Sequence, residues 1–476
     1  MRLALALTAL LLLAASPAEA QKNQRVRTGP DEIAGVPFSD VPYRVESMGL
    51  ALRLPEGATI SSTSTVDGVR SFVVSPANNS WLLRVLAPRV TDPALDAAGV
   101  VDSMVNEILD PTGDRATMDR MSLQTKDGRK RVFDRLDELQ TTSATGARFY
   151  LGVKQSTGAE LVTGYTVFRP APGQLLVFEI NCMGSEFTRV RSIYEAIIAA
   201  SEIADPTELA SRRAAGVTAG ETLLADLDAE TIASYLRDAP EWRRLYRPGP
   251  TGRWSDDTEV AYQSIEIKKG QRGDLATGRT SRSWSAAERE KGFVATVVAR
   301  YLDGDQTVDI LSSYFLSLDG ESETWSVRMR LSDQFESLNW TETGARAKGK
   351  ISVTIAQPDG EVTEKAWPVP PTGYLSHVEA LLLPRILAER SVEGEFAYYR
   401  YNTQLGELTL RRDVFEGTSD GWRLTTRPHE DAPDEILELS TAGDVVTQRL
   451  SDDIRGKPLG RKEIASIWRH KGLPLD

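Results

Sequence analysis

A serine between two glycines is the segment of this sequence closest to a known catalytic motif. Residues 417–421 read Gly-Thr-Ser-Asp-Gly, which matches the pattern G-x-S-x-G, and His429 and Asp434 follow. A serine hydrolase places such a serine on a sharp strand-to-helix turn and takes its acid before its histidine. Here the flanking segments, 414–415 and 422–424, are typical of strands, and Asp-Gly is typical of a hairpin turn. We therefore predict a turn, and a hydrolase using Ser419 remains an unfavoured alternative.

A glycine-rich basic segment has the spacing of a phosphate-binding loop. Residues 344–350 fit the pattern G-x-x-x-x-G-K, but Ile351 stands where the metal-holding serine or threonine would be. The residues that follow alternate as in a strand, so no helix N-terminus would face a phosphate. We predict a basic hairpin loop.

Residues that bind metals or form disulfides are scarce. Cys182 is the only cysteine, and it follows an apolar run, so we expect a buried thiol. The three histidines are scattered, at His377, His429 and His470. With no metal triad and no nucleotide fingerprint, the sequence predicts no cofactor and no catalytic residue.

Carboxylates cluster at two expected turns. Asp303-Gly304 and Asp319-Gly320 are hairpin signals, and Glu321 and Glu323 follow the second of them. Charged turns are the usual surface of a soluble protein. We expect these carboxylates to be exposed.

The composition is that of a folded, acidic protein. The chain has 476 residues, and its 56 lysines and arginines against 68 aspartates and glutamates give a net charge of −12. An apolar fraction of 41% excludes wholesale disorder. Because neutralising phosphates needs a basic surface, the composition argues against nucleic acid as a partner.

Residues 1–20 have the pattern of a secretory signal peptide. Arg2 gives the positive start, residues 3–15 are apolar apart from one threonine, and residues 18–20, Ala-Glu-Ala, fit the cleavage site. We predict cleavage before Gln21 and a bacterial protein that is periplasmic or secreted. No later segment approaches the length of about 20 apolar residues that a span needs, so we expect no transmembrane span after cleavage.

After an extended segment at 21–42, residues 43–204 have the pattern of an α+β domain. Strands are expected at 69–74, 81–86 and 161–168, and the apolar run 175–178 is typical of a central strand covered on both faces. Asp92 is expected to cap a helix with Pro93 at its first position.

This order of elements resembles the PsbP-like fold. The features that carry the resemblance are a Leu-Pro-Glu-Gly turn at 54–57, Trp81 at the start of the third strand, a capped helix, and a closing helix with Arg-Ser-Ile-Tyr at 191–194. The resemblance implies an α/β sandwich with an antiparallel sheet that serves as an extracytoplasmic accessory or binding module. It carries over no catalytic residue.

The remainder of the chain is predicted to be mostly β-structure. Residues 205–250 have helical spacing and form a connector, and 251–455 form an antiparallel β domain of successive hairpins. A helical insert at 372–390, with a break at Pro384, interrupts the strands. Residues 456–476 form a C-terminal helix and tail.

A meander with a leucine-rich helical insert resembles the half-barrel of the periplasmic LolA/LolB-like lipoprotein carriers. The resemblance covers 257–450, and it implies a curved antiparallel sheet that encloses an apolar cavity for acyl chains. The residues predicted to contact such a ligand are Tyr374, Leu375, Val378, Leu382 and Tyr398. Ordinary core packing is the alternative for these five residues, and it differs only in that the side chains would fill the interior.

The predicted function is that of an exported, non-catalytic envelope protein that binds an apolar or lipid ligand or a protein partner. One alternative is a scaffold or accessory subunit that binds only other proteins. The other is the hydrolase that uses Ser419.

Overall fold

A computed structural model describes residues 32–475, apart from 34, 40–41, 62–63, 67–68, 89–94, 110–121, 126–127, 142–143, 155–157, 276–279, 305, 333–336, 431 and 451–453. The predicted signal peptide lies outside the described residues. The chain divides into two compact units between Arg212 and Arg213. The predicted α+β class with antiparallel sheets is confirmed.

The N-terminal unit is built on one antiparallel sheet with two small ones beside it. The large sheet has the strand order β5-β7-β8-β13-β12-β11-β10-β9, with β6 beside β7, and the small sheets are β14-β4-β3 and β1-β2. The strands are β1 (Glu32–Ile33), β2 (Val36–Pro37), β3 (Tyr43–Val45), β4 (Leu50–Leu52), β5 (Thr59–Ile60), β6 (Ser64–Val66), β7 (Val69–Ser75), β8 (Trp81–Ala87), β9 (Ser122–Thr125), β10 (Gly128–Gln140), β11 (Thr145–Lys154), β12 (Glu160–Ala171), β13 (Gln174–Met183) and β14 (Glu202–Ile203).

Two helices cover opposite faces of the large sheet. Alternate residues of β13 point to opposite faces: Phe178 and Ile180 share a hydrophobic cluster with helix α2 (Phe187–Ala199), whereas Leu175 and Val177 share another with α1 (Ala97–Leu109). The prediction of a central strand covered on both faces is therefore confirmed. Cys182 is 5% exposed, and burial raises the pKa of its thiol to about 11, as expected of a packing residue.

The described residues of the C-terminal unit form one antiparallel sheet of 14 strands. Its order is β22-β21-β20-β19-β18-β17-β16-β15-β28-β27-β26-β25-β24-β23, so β22 and β23 are the edge strands. The strands are β15 (Glu241–Arg247), β16 (Thr258–Gln271), β17 (Lys291–Asp303), β18 (Gln306–Ser317), β19 (Glu323–Ser332), β20 (Ser337–Ala347), β21 (Lys350–Ala356), β22 (Val362–Pro368), β23 (Gly394–Asn402), β24 (Glu407–Thr418), β25 (Gly421–Arg427), β26 (Glu435–Leu439), β27 (Val445–Arg449) and β28 (Arg455–Pro458).

One helix, α5 (His377–Arg390), links the two edge strands of this sheet. It contacts β17 and β18, and most of its residues are buried. The remaining helices are α3 (Pro206–Ala225), α4 (Ala229–Ser234) and α6 (Arg461–His470). Among the described residues, no helix combines the length and the apolar character needed to cross a bilayer.

The hairpin predictions at the two suspected motifs are confirmed. Ser419 and Asp420 form the turn between β24 and β25, and the loop at Lys348-Gly349 joins β20 to β21. Neither place contains the strand-to-helix connection that the hydrolase or the phosphate loop requires.

Local signals differ from the structure at two other places, and a third prediction is not tested. Helix α5 continues through Pro384, so the predicted break is wrong; its burial on the sheet outweighs the roughly 3 kcal/mol that an interior proline costs. Asp96, whose carboxylate accepts a hydrogen bond from Gly99 N at 2.7 Å, caps α1, whereas Asp92 and Pro93 lie outside the described residues. The segment predicted as a helical connector, 205–250, ends in strand β15, which pairs with β16 and β28.

Candidate functional site

Four of the five residues predicted to contact a ligand lie in one hydrophobic cluster of the C-terminal unit. Leu375, Val378, Leu382 and Tyr398 are each at most 1% exposed. The same cluster contains Phe293, Leu316, Leu383, Ile386, Leu387, Phe415 and Leu424. In this conformation the four side chains pack against apolar neighbours from α5 and the sheet, as core residues do.

Tyr374, the fifth predicted residue, lies in a different neighbourhood. It packs against a second cluster that contains Trp325 and Tyr401. Its hydroxyl donates a hydrogen bond to Glu323 Oε2 at 3.0 Å, and the Arg346 guanidinium lies 4.6 Å from the centre of its ring. The structure therefore divides the five predicted residues between an apolar and a polar environment.

The start of α5 is determined by a capping box. Ser376 is the N-cap; its hydroxyl accepts a hydrogen bond from Glu379 N, and the Glu379 carboxylate accepts one from Ser376 N at 2.8 Å. This arrangement satisfies two backbone donors that a helix start leaves free. Burial raises the pKa of Glu379, because desolvation disfavours its charged form.

A buried carboxylate fastens this helix start to the sheet. Glu323 on β19 is 0% exposed, and its Oε1 accepts hydrogen bonds from His377 N and lies 2.7 Å from His377 Nδ1. Although burial alone would raise the pKa of Glu323, the neighbouring His377 and Arg346 hold it below its ordinary value. The Glu323 carboxylate is therefore ionised at neutral pH, and its partners His377 and Arg346 come from α5 and β20.

The His377 ring has the orientation of a general base but lacks access. A carboxylate at Nδ1 is the arrangement that orients a catalytic imidazole, and the buried Nε2 has no hydrogen-bond partner among the described residues. However, the ring stacks on Tyr314 at 4.4 Å between centroids, and the side chain is only 4% exposed. A substrate could not reach Nε2 in this conformation, so we assign the pair a structural role.

An open pocket lies at the other end of α5. Its volume is about 640 Å³, within the range of roughly 300–1,000 Å³ that small-molecule sites occupy. Helix α5, strand β15, the start of β27 and the segment that joins β28 to α6 contribute to it. The lining residues are Arg237, Asp238, Ala239, Glu241, Trp242, Arg243, Arg385, Asp444, Val445, Pro458, Leu459, Gly460 and Glu463.

Ion pairs hold two of the three arginines of this pocket. Arg385 of α5 pairs with both Glu241 and Asp444, and Arg237 contacts the same Asp444 oxygen at 2.6 Å. Although burial acts to raise the pKa of Asp444, hydrogen bonds from the two arginines hold it below its ordinary value. These two guanidiniums are therefore fixed in place and largely neutralised.

Arg243 is held less tightly. Its guanidinium lies 3.5 Å from Glu241, beyond the usual N–H···O length of 2.7–3.2 Å, and Glu241 is already paired with Arg385. The Arg243 side chain is 13% exposed, and burial lowers its pKa to about 10. At neutral pH it is a positive charge that has lost most of its water and gained little in return.

The pocket is lined by three arginines, four carboxylates and a few apolar residues. Its lining residues, all in the described part of the chain, include no serine, cysteine, histidine or lysine. Its apolar lining residues include Trp242, Val445, Pro458 and Leu459. The pocket thus combines an apolar surface with a few placed charges, which is typical of a small-molecule binding site.

Sequence reasoning missed both charged groups, although one left a signal. Glu323 was expected to be an exposed turn carboxylate, and the structure shows that this is wrong, because it is the first residue of β19 and lies in phase with buried Trp325. A carboxylate at an inward position of an alternating strand is the signal that could have identified it. The arginines of the pocket left none, because they come from separate segments.

The chain was compared with known families, curated proteins and solved structures. No family model and no curated protein matches it. It is similar to the solution structure of a cyanobacterial PsbP from Synechocystis sp. PCC 6803, with 14% identity, a TM-score of 0.26, and coverage of 38% of this chain and 98% of that one. It is also similar to the crystal structure of a β-barrel-like protein of a domain of unknown function from Brucella abortus, with 12% identity, a TM-score of 0.30, and coverage of 47% and 97%.

At these TM-scores neither likeness carries an argument about fold or function. A PsbP is among the similar structures, so that part of the predicted resemblance has a counterpart in the comparison. The LolA/LolB-like resemblance remains a prediction.

Proposed function

We propose that the protein is an exported, non-catalytic envelope protein whose C-terminal unit binds an apolar or lipid ligand. The observation that carries this proposal is the open pocket of about 640 Å³ beside α5, whose lining residues combine apolar side chains with charged ones. Its position revises the predicted site. Leu382 and Val378 pack in the core, whereas Arg385, three residues after Leu382 on the same helix, lines the pocket.

The structure gives more support to ligand binding than to the hydrolase alternative. Ser419 is in an exposed hairpin turn, and Asp434, the acid proposed with it, is paired with Arg427 at 2.8 Å. Turnover of acyl esters that is abolished by Ser419→Ala would revive the hydrolase. We expect no turnover.

Native mass spectrometry of the full chain, purified from membrane-containing extract, tests the proposal. We expect a non-covalent adduct on the wild-type protein. Ala239 lines the pocket and is exposed, so Ala239→Trp should occlude the pocket and remove the adduct. Ala287, an exposed alanine of the same unit in a turn, provides the matched control, because Ala287→Trp adds the same bulk elsewhere. A wild-type protein without an adduct would contradict the proposal.

The same purification also distinguishes ligand binding from a scaffold that binds only proteins. A scaffold would retain a protein partner equally in the wild type and in Ala239→Trp, and would carry no small-molecule adduct. Export is tested separately, by fractionation and N-terminal sequencing, for which we expect a mature protein that begins at Gln21.

A further inference from the structure

Three guanidiniums and several carboxylates converge on the pocket beside α5, and their pairing leaves one cation for a ligand. Arg237 and Arg385 are engaged by Asp444 and Glu241. Arg243 has only a long contact to Glu241, whose charge is shared with Arg385. An ionised group brought close to Arg243 would therefore meet a positive charge that the protein itself has not neutralised.

The remaining carboxylates of the pocket are placed so that they limit the charge of the ligand. Glu463 is occupied at the start of α6, where it accepts a hydrogen bond from Gly460 N at 2.9 Å, and Asp238 is exposed at the rim. These two, with Glu241 and Asp444, give four negative charges against three positive ones. A ligand with several negative charges would be repelled, whereas a single negative group can contact Arg243 alone.

The walls determine the rest of the ligand. The Trp242 ring lies on the other face of β15 from Arg243, where the Arg461 guanidinium is 5.4 Å from the ring centre. Pro458 is paired with Arg243 across the two strands, so both side chains lie on the same face, and Val445 also lines the pocket. An apolar chain attached to the charged group would bury its surface against Val445 and Pro458.

We propose that this pocket binds an amphipathic monoanion, with its acidic headgroup on Arg243 and its apolar chain along Val445 and Pro458. The inference rests on the proposed function and deepens it by naming the ligand class. A carboxylate fits the planar guanidinium with two parallel hydrogen bonds. A fatty acid and a phosphodiester lipid both provide a single negative charge joined to an apolar chain.

Titration calorimetry of the full chain with matched probes tests this inference. Decanoate and decanol have the same chain length and differ in charge, and acetate has the headgroup without the chain. We expect decanoate to bind well above decanol and acetate. Sedimentation with phosphatidylglycerol vesicles, compared with phosphatidylcholine vesicles, tests whether the site also binds a headgroup in a lipid surface. If decanoate binds and neither kind of vesicle does, the ligand is a free carboxylate.

Variants of one arginine locate the headgroup. Arg243→Gln should weaken decanoate binding about 10- to 100-fold, since a hydrogen-bonded ion pair is lost, and leave decanol unchanged. The decanoate affinity of Arg243→Lys should lie between those of the wild type and Arg243→Gln, because lysine keeps the charge but not the planar guanidinium. Arg423→Gln, on β25, where Arg423 pairs with Glu438 at the surface, is the control and should bind as the wild type does. An unchanged melting temperature of each variant confirms that it folds.

The possible failures are distinct. If decanoate and decanol bind equally and Ala239→Trp abolishes both, the pocket binds apolar ligands and the role of Arg243 is overturned. If no probe and no vesicle binds, the proposed function fails together with the inference. If decanoate binds but Arg243→Gln has no effect, the headgroup lies elsewhere and the inference is overturned.

Discussion

Two groups of charged side chains contact α5, one at each end, and they differ in their access to water. Glu323 and His377 at its start are 0% and 4% exposed, whereas Glu241 and Asp444, the partners of Arg385 near its end, are 31% and 48% exposed. In the sealed group the charges satisfy one another, because nothing else can reach them. In the open group the carboxylates stay in contact with water, and Arg243 is an incompletely paired cation. Access, rather than charge itself, separates a structural ion pair from a binding site.

The largest expected effect is at the sealed group. Glu323→Ala leaves the Arg346 guanidinium without its counter-charge and the buried His377 N without its acceptor, and breaking a buried pair of charges costs about 3–5 kcal/mol. We expect the urea midpoint of the C-terminal unit to fall accordingly. Glu321→Ala, at an exposed position in the preceding turn, is the control. Equal midpoints for the two variants would show that the ion pair does not stabilise the fold.

Leu382→Ala distinguishes core packing from a ligand cavity at the predicted site. A leucine that is 0% exposed in a packed core loses about 2–5 kcal/mol on truncation to alanine. Leu459→Ala, in the pocket wall, should cost less because that side chain is half-buried. The two urea midpoints provide the measurement. A loss below about 1 kcal/mol at Leu382 would indicate that this side chain faces space instead of neighbours.

The pH dependence of stability should have opposite signs at two buried glutamates. Glu323 has a folded-state pKa below the ordinary 4.5, so its contribution is present above pH 4.5 and is lost as the pH falls through the folded value. Burial raises the pKa of Glu342, which accepts hydrogen bonds from Trp325 and Tyr401. Its contribution is therefore present below pH 4.5 and is lost as the pH rises through the folded value.

Glutamine variants measure the pH-dependent contributions of Glu323 and Glu342 to stability. Each unit of pKa shift changes the free energy of unfolding by about 1.4 kcal/mol. Urea unfolding between pH 3 and 8 should show a smaller loss on acidification for Glu323→Gln, and a smaller loss on going to neutral pH for Glu342→Gln. Parallel profiles for the two variants and the wild type would contradict the assignment.

The smallest effect on stability is expected at the open group. Arg243→Gln removes a largely buried cation that gains little from its surroundings, so the free energy of unfolding should stay the same or rise slightly. The urea midpoint is again the measurement. A loss as large as that of Glu323→Ala would place Arg243 among the structural charges and remove the contrast between the two ends of α5.

Much of the fold could be predicted because its signals are local. The hairpins at Asp319-Gly320 and at 417–421 follow from turn residues between alternating segments, and strand β13 follows from a continuous apolar run. The path of α5 through Pro384 could not be predicted, because local propensity opposes a proline inside a helix and only burial against β17 and β18 compensates for it. The site was less predictable than the fold. The α5 segment was identified, but its leucines are core residues and the pocket lies beside Arg385.

By itself, the sequence determined the alternation of strands, the turns between them and the amphipathic helices, because these depend on residues a few positions apart. Only the tertiary structure decided which charges are sealed and which are open. Glu323 and His377 are 54 positions apart, and Arg243 and Arg385 approach one pocket from a strand and a helix. Alternation tells which face of a strand a side chain occupies, but not what covers that face, and the cover determines whether a charge needs a partner or can accept a ligand.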